Sequence, residues 1–219
     1  MGDFPTRRDI AAGYDRAASG YTEEFAAELD RKPFDRDLLT EFAAATAGRG
    51  LVLDVGCGPG HVAAFLAARG VDVGGVDISA RMAAIGRLRQ PAIPFAVADM
   101  LSLPVASSTL AGIAAVYSLI HLPRGLVPQA LAELRGALRA DGRLLLAVHA
   151  GHGEVHRDSW YGRPVKIAAT LFQTDELLAG LATAGFAIES CSTRPPYRFE
   201  YPSERIYVMC SPGSERGEP

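Results

Sequence analysis

The chain has 219 residues, 48% hydrophobic and 21% charged, with 22 basic and 25 acidic side chains for a net charge of −3. This is the composition of an ordinary soluble globular protein, long enough for one α/β domain with a full core and short for two. The cations are dispersed, which argues against a nucleic-acid face built on clustered phosphate contacts, and no run approaches the ~20 apolar residues of a membrane span.

Cys57, Cys191 and Cys210 are odd in number and far apart. Neither a disulfide framework nor a zinc pattern is expected, and the expected compartment is a reducing cytoplasm. The opening MGDFPTRRDI lacks the apolar stretch of a signal peptide, and the closing SPGSERGEP reads as a frayed polar tail.

Residues 7 to about 29 are Ala-rich, with apolar or aromatic residues at 10, 14, 21, 25 and 29. The spacing predicts helices with a break near Ser19-Gly20. A second helix is expected from Asp35 to about Ala47, begun by Pro33 and a capping Asp and ended by Gly48. From residue 51 strands and helices alternate. LVLDV is a strand, followed by a helix from His61 to about Ala68; VDVGGVDI is a strand, followed by a helix capped by Ser79. IPFAVADM and GIAAVYSLI are the third and fourth strands, and a helix spans about 124–139. The Asp141-Gly142 turn leads into RLLLAVHA, the fifth strand. The stretch 150–172 is read as a long irregular insert, followed by a helix near Thr174-Asp175-Glu176 and strands at FAIESCST and RIYVMCS.

Five apolar strands separated by helices predict a parallel sheet covered on both faces. The last two strands, joined across PPYRFEYPSE, pair most easily as antiparallel neighbours. The expected architecture is a single doubly wound α/β domain over 1–219, with residues 1–48 as a helical cap or lid and 150–172 as a substrate-side insert.

The stretch LVLDVGCGPGHV carries three glycines in five positions behind a strand. Such a loop at a strand's carboxyl end is where doubly wound sheets bind ligands. A Walker loop needs Lys-Ser/Thr after the last glycine, but His61 and Val62 follow Gly60; a dinucleotide loop needs glycines at positions 1, 3 and 6, and here they fall at 1, 3 and 5. Asp54 would repel a pyrophosphate. A ligand bearing cations and no phosphate, such as S-adenosylmethionine (SAM), suits it better, with the glycines letting the backbone pass close beneath.

Residues 54–60, DVGCGPG, match the first motif of the Rossmann-like SAM-dependent methyltransferases at every fixed position, and the chain resembles that family from about Tyr14 to Cys210. Its small-molecule branch is the nearest likeness, through YDRAASGY. The resemblance implies seven strands in the order 3-2-1-4-5-7-6 with the seventh antiparallel. It also implies that SAM is the cofactor and S-adenosylhomocysteine the product. The implied contacts in the loop are Asp54, Gly56, Cys57, Gly58, Gly60 and His61. Asp77, with Ile78, ends the second strand where a carboxylate accepts ribose hydroxyls. Asp99, with Met100, ends the third strand beside the adenine. Tyr14 and Tyr21 are placed over the cofactor's methionine end, and Lys32 is a weaker candidate for the carboxylate of that end. The Asp that many relatives carry at the start of the fourth strand is replaced here by Leu110-Ala111-Gly112.

Methyl transfer needs an acceptor atom held in line and, for a hydroxyl or ammonium, a base near neutral pH. Tyr117 and His121 in YSLIHLP, and His149 after the fifth strand, are the candidate catalytic residues. His149, His152 and His156 lack a placed carboxylate partner, so no metal is expected. RPPYRFEYPSERIYV reads as a solvated turn with tyrosines covering the sheet. The expected partner is a small-molecule methyl acceptor, not nucleic acid or membrane, with a homodimer as the assembly considered. The expected activity is O- or N-methylation of a metabolite, as in natural-product biosynthesis. Its rivals are methylation of RNA or protein, and a SAM-binding protein running a non-methylating reaction such as cyclisation.

Overall fold

The structure, a computed structural model, describes residues 3–213; Ser211 and Pro212 of the predicted polar tail are part of the last strand, and its residues beyond Gly213 lie outside the described residues. Thr6 opens α1 (Arg7–Phe25) with a reciprocal capping box to Asp9. The predicted break at Ser19-Gly20 is absent: α1 runs straight through it. A Cβ on Gly20 would stand 2.5 Å from Cγ of Tyr161, so this glycine is a notch that receives an aromatic ring. A 3-10 turn (Glu28–Arg31) leads to α2 (Pro33–Thr46), whose first residue is Pro33 as expected. Asp35 does not cap α2; its carboxylate turns inward, as described below.

The alternating elements follow as β1 (Val52–Val55), α3 (His61–Ala67), β2 (Val73–Asp77), α4 (Ala80–Arg89), β3 (Phe95–Val97), β4 (Leu110–Val116), α5 (Val127–Ala137) and β5 (Leu138–His149). Ser79 caps α4 by accepting the Met82 N–H at 3.0 Å. Asp141-Gly142 lies inside β5 instead of preceding it. Pairing jumps from Leu110–Leu138 to Gly112–Arg143, so the expected turn is absorbed as a wide bulge.

The stretch 150–172 is not irregular. It is a hairpin of β6 (Glu154–Trp160) and β7 (Arg163–Thr170), turned by Tyr161 and Gly162, both at positive φ (49° and 68°). Two left-handed residues make the turn whose twist matches the flanking strands. Val165 and Ile167 alternate onto one face and pack on Ile10 and Ala17 of α1, so the hairpin and α1 share a small core of their own. After α6 (Thr174–Thr183) come β8 (Phe186–Arg194) and β9 (Arg205–Pro212).

The main sheet has the order β3-β2-β1-β4-β5-β9-β8, with β1 to β5 parallel and β9 antiparallel to both neighbours. This is the doubly wound arrangement the sequence predicts. One face buries Leu131 and Leu134 of α5 with Leu177 and Leu181 of α6; the other buries Leu39 and Phe42 of α2 with Val62 and Leu66 of α3. Among the described residues no helix is long and apolar enough to cross a membrane.

Candidate functional site

The strand order reverses between β1 and β4, and a cavity opens at the carboxyl ends of the strands there. That is the place where doubly wound sheets bind their ligands. Its wall includes Gly56, Gly58, Asp77 with Ile78, and Asp99 with Met100 from the strand ends; Tyr14 and Tyr21 come from α1, and Tyr117 and His121 from the segment after β4. Asp54, Cys57, Gly60, His61 and His149 are not in the wall.

The exclusions have physical reasons. Asp54 is fully buried and its carboxylate accepts the Ala63 N–H at 3.1 Å, which secures the start of α3. Burial raises that carboxyl to about 7, against the opposing pull of His61 and the Ala63 amide. His61 reaches Glu28, at 3.0 Å from Nε2. Gly60 has φ 82°, and a Cβ there would stand 2.6 Å from the ring of Phe95, which Gly75 and Gly86 also accommodate. This glycine makes room for a core phenylalanine. At Gly56 (φ 76°) a Cβ would run into Ser118 in the cavity wall, so there the close approach does border the site.

The loop's amides are already engaged. Gly56 and Cys57 both donate to the Val76 carbonyl (2.8 and 3.0 Å), Gly60 to Cys57 O (3.0 Å), and Gly58 to Asp77 Oδ2 (2.8 Å). These four amides turn inward to the protein, not outward to a phosphate. Asp77 also accepts the Ser79 N–H at 2.8 Å, and burial, opposed by these two amides, raises its carboxyl to about 6. Asp99 pairs with Arg7 of α1 and accepts the Leu101 N–H at 3.0 Å.

The helix α1 is fastened over the cavity at several points. Asp15 takes the Ser79 hydroxyl (2.5 Å) and the Arg81 N–H (2.9 Å) at the start of α4, and Arg16 donates to the Pro164 carbonyl of the hairpin at 2.8 Å. Tyr14, Tyr21 and Trp160 meet edge to face, with ring centroids 5.4–5.7 Å apart. Beneath them Tyr14 Oη lies 2.6 Å from His121 Nε2, while His121 Nδ1 lies 2.8 Å from the Ala168 carbonyl of β7. A carbonyl only accepts, so Nδ1 carries the proton and Nε2 presents its lone pair to the tyrosine hydroxyl. Burial pushes the imidazolium form down to about pKa 4, so the ring is neutral at pH 7. Ser118 Oγ, buried in the same wall, has no partner.

Tyr117 sits at φ 55°, a left-handed conformation that a bulky residue adopts only under constraint. Its hydroxyl is bonded to Tyr207 Oη (2.7 Å) and Asp35 (3.2 Å). Behind it lies a charge cluster that sequence reasoning read as a solvated turn. Asp35 binds Arg194 at 2.8 Å, Arg194 also binds Glu200 at 2.7 Å, and Lys32 bridges Glu28 (2.6 Å) and Glu200 (3.0 Å). All these side chains are below one-tenth exposed. The alternation of Arg, Tyr and Glu through 194–205, with Lys32 and Asp35 far upstream, was the available signal. His149 belongs to this side, with Nδ1 2.8 Å from Ser203 Oγ and its ring beside Tyr117. His156 pairs with Glu154. Among the described residues no cluster of three or more His, Cys, Asp or Glu could hold a metal.

Comparison with known proteins agrees with this geometry. A methyltransferase-domain family profile matches residues 52–142. Malonyl-[acyl-carrier protein] O-methyltransferase of Enterobacter lignolyticus (strain SCF1) is 35% identical over 102 residues, covering 47% of this chain and 39% of that protein. The chain spans about two fifths of the length of the curated relatives it matches first. Among solved structures, the DhpI–SAH complex shares the fold at TM-score 0.75 and 23% identity, over 97% of this chain and 100% of that one. The [4+2]-cyclase SpnF shares it at TM-score 0.73 and 17% identity, over 95% and 97%. The matched segment, residues 52–142, carries the glycine loop, both strand-end carboxylates and the His121 wall of the cavity, and it is this segment that is similar to the methyltransferase-domain family, on a fold shared with SAM-dependent methyltransferases.

Proposed function

We propose that this protein transfers the methyl group of SAM to an oxygen or nitrogen atom of a small molecule. The cofactor supplies a methyl carbon on a sulfonium and a thioether leaving group. Asp77 is assigned to the ribose hydroxyls, Asp99 with the Met100 backbone to the adenine, and Gly56 and Gly58 to the floor. The unpartnered Ser118 hydroxyl is left for a polar group of the bound molecule. Tyr21 packs over the cofactor, and Tyr14 and His121 face the acceptor.

One observation carries the reading. The same cavity that presents the strand-end carboxylates also holds a neutral histidine locked in one tautomer, with its lone pair directed through Tyr14. The cover formed by α1 and the hairpin supports a small acceptor over RNA or a folded protein. A relative named as an O-methyltransferase supports oxygen as one acceptor atom. A second reading, a SAM-dependent reaction without methyl transfer, draws on the likeness in fold to a cyclase.

The test is incubation of the purified protein with methyl-labelled SAM and small-molecule, RNA and protein fractions of a bacterial extract. Label in the low-mass fraction that is lost in Asp77→Ala is the expected result. Tight SAM binding with no transfer to any fraction would move the assignment to the second reading.

A further inference from the structure

The chemistry of the acceptor follows from the charges that the cavity does and does not present. The charged side chains in its wall are Arg7, Asp77 and Asp99. Arg7 is paired with Asp99, and Asp77 is held by two backbone amides. Among the described residues the wall therefore has no cation free to meet an anionic substrate, and its net charge is negative.

Cations do lie close behind. Lys32 Nζ stands 5.1 Å, and the Arg205 guanidinium 5.8 Å, from the centre of the Tyr117 ring. Neither belongs to the wall. Lys32 is spent on Glu28 and Glu200, Arg194 on Asp35 and Glu200, and Arg205 lies 3.7 Å from Glu200. Three cations face three carboxylates, and Tyr117 is the wall residue they sit against. A carboxylate or phosphate entering the cavity would lose its hydration next to two carboxylates and gain no unpaired cation from the protein, which is an unfavourable transfer.

The opposite holds for an acceptor that carries a proton. Tyr14 spends its own proton on His121 Nε2, so its oxygen lone pairs remain to accept a hydrogen bond. Ile10, Ile78, Val116 and Leu122 supply apolar walls around this polar point.

We infer that the acceptor is an uncharged molecule bearing a hydroxyl or N–H group, and that Tyr14 and His121 act together to take its proton. This rests on the methyl-transfer reading above. The acceptor's lone pair forms the new bond to the methyl carbon, and the sulfur–methyl electron pair returns to sulfur. The acceptor's proton passes to Tyr14 Oη as Tyr14 gives its own proton to Nε2. The positive charge of the sulfonium ends on the His121 imidazolium, and no oxidant or further reactant is needed. A carboxylate acceptor has no proton to give and would leave this pair idle.

The experiment uses carbon-13 methyl SAM, the purified full-length protein and a bacterial small-molecule extract. The carbon shift of the labelled product and its behaviour in mild base are then read. A base-stable methyl on oxygen or nitrogen is expected. A base-labile methyl ester, or a methyl on carbon, would overturn the inference while leaving methyl transfer intact. No labelled product from protein that binds SAM would overturn the methyl-transfer reading and this inference with it. On the product so identified, His121→Gln keeps donors and acceptors in place for Ala168 and Tyr14. It should lower kcat by at least about 100-fold, the lower range for general acid–base catalysis, and flatten the acid limb of the pH profile with SAM affinity unchanged. A purely structural His121 would leave that limb in place.

Discussion

The two ends of the cavity are built differently. At the cofactor end, Asp77 and Asp99 are displayed by adjacent parallel strands and anchored by amides two to nineteen residues away. At the acceptor end nearly every contact is long-range: Tyr14 to His121 spans 107 positions, His121 to Ala168 47, Asp35 to Arg194 159 and Asp35 to Tyr207 172. A strand-and-loop motif can carry its own chemistry because a parallel sheet places consecutive strand ends side by side. A proton-accepting pair assembled from α1, the β4 exit and a hairpin exists only once those three pieces have docked. Cofactor binding and acceptor chemistry should therefore fail separately when each end is damaged.

The largest expected effect lies at the acceptor end. Asp35→Ala removes the carboxylate on which Arg194, Tyr117 and Tyr207 converge. Breaking such a buried pair costs about 3–5 kcal/mol. Because 1 kcal/mol is worth roughly 2–4 °C in a chain of this size, the melting temperature should drop by more than ~6 °C. A change of less than ~2 °C in a thermal melt would mean that the cluster is not an integral part of the fold.

At the cofactor end the expected effect is a pH dependence. The folded carboxyl of Asp77 titrates at about 6, above its ordinary value of 3.8. The native state therefore holds a proton that the unfolded chain has released between those values, and this group's contribution to stability falls as pH rises through that window. A ribose that donates to the carboxylate favours the deprotonated form and reverses the trend. The Kd for S-adenosylhomocysteine should rise toward tenfold per pH unit as pH falls below about 6, and Asp77→Asn should bind weakly and without that dependence. Titration calorimetry at pH 7.5 and 5 decides it: a wild-type Kd equal at both would remove Asp77 from the ribose.

The smallest effect concerns the joint between the ends. Gly20→Ala improves helix propensity by about 1 kcal/mol but drives a methyl into the Tyr161 ring, and such overpacking costs about 1–3 kcal/mol. We expect a melting temperature lower by a few degrees and faster hydrogen exchange confined to β6, β7 and the middle of α1. Unchanged exchange there would show that the notch does not hold the hairpin on the helix.

Most of the fold was legible because its signals are local. LVLDV and RLLLAVHA are apolar runs that only a doubly covered sheet can bury, and Ser79 announces its helix by capping it. The hairpin was missed because Tyr161-Gly162 is a less familiar left-handed pair than Asn-Gly, and because Val165 and Ile167 alternate over only a few positions. Gly20 was read as a breaker, since nothing local shows that an aromatic ring fills the space beside it.

The sequence by itself determined the sheet, its order through the family likeness, and the position of Asp77 and Asp99 at successive strand ends. Tertiary structure alone decided that Asp54 holds α3, that Gly60 yields to Phe95, and that His61 and His149 lie outside the cavity wall. It also decided that Asp35, Lys32, Arg194 and Glu200 neutralise one another in the interior. The physical reason is one of range. Strand periodicity and capping act over a few residues, whereas the partner that neutralises a buried charge, or fills the space above a glycine, is chosen by the packing of segments far apart in the chain.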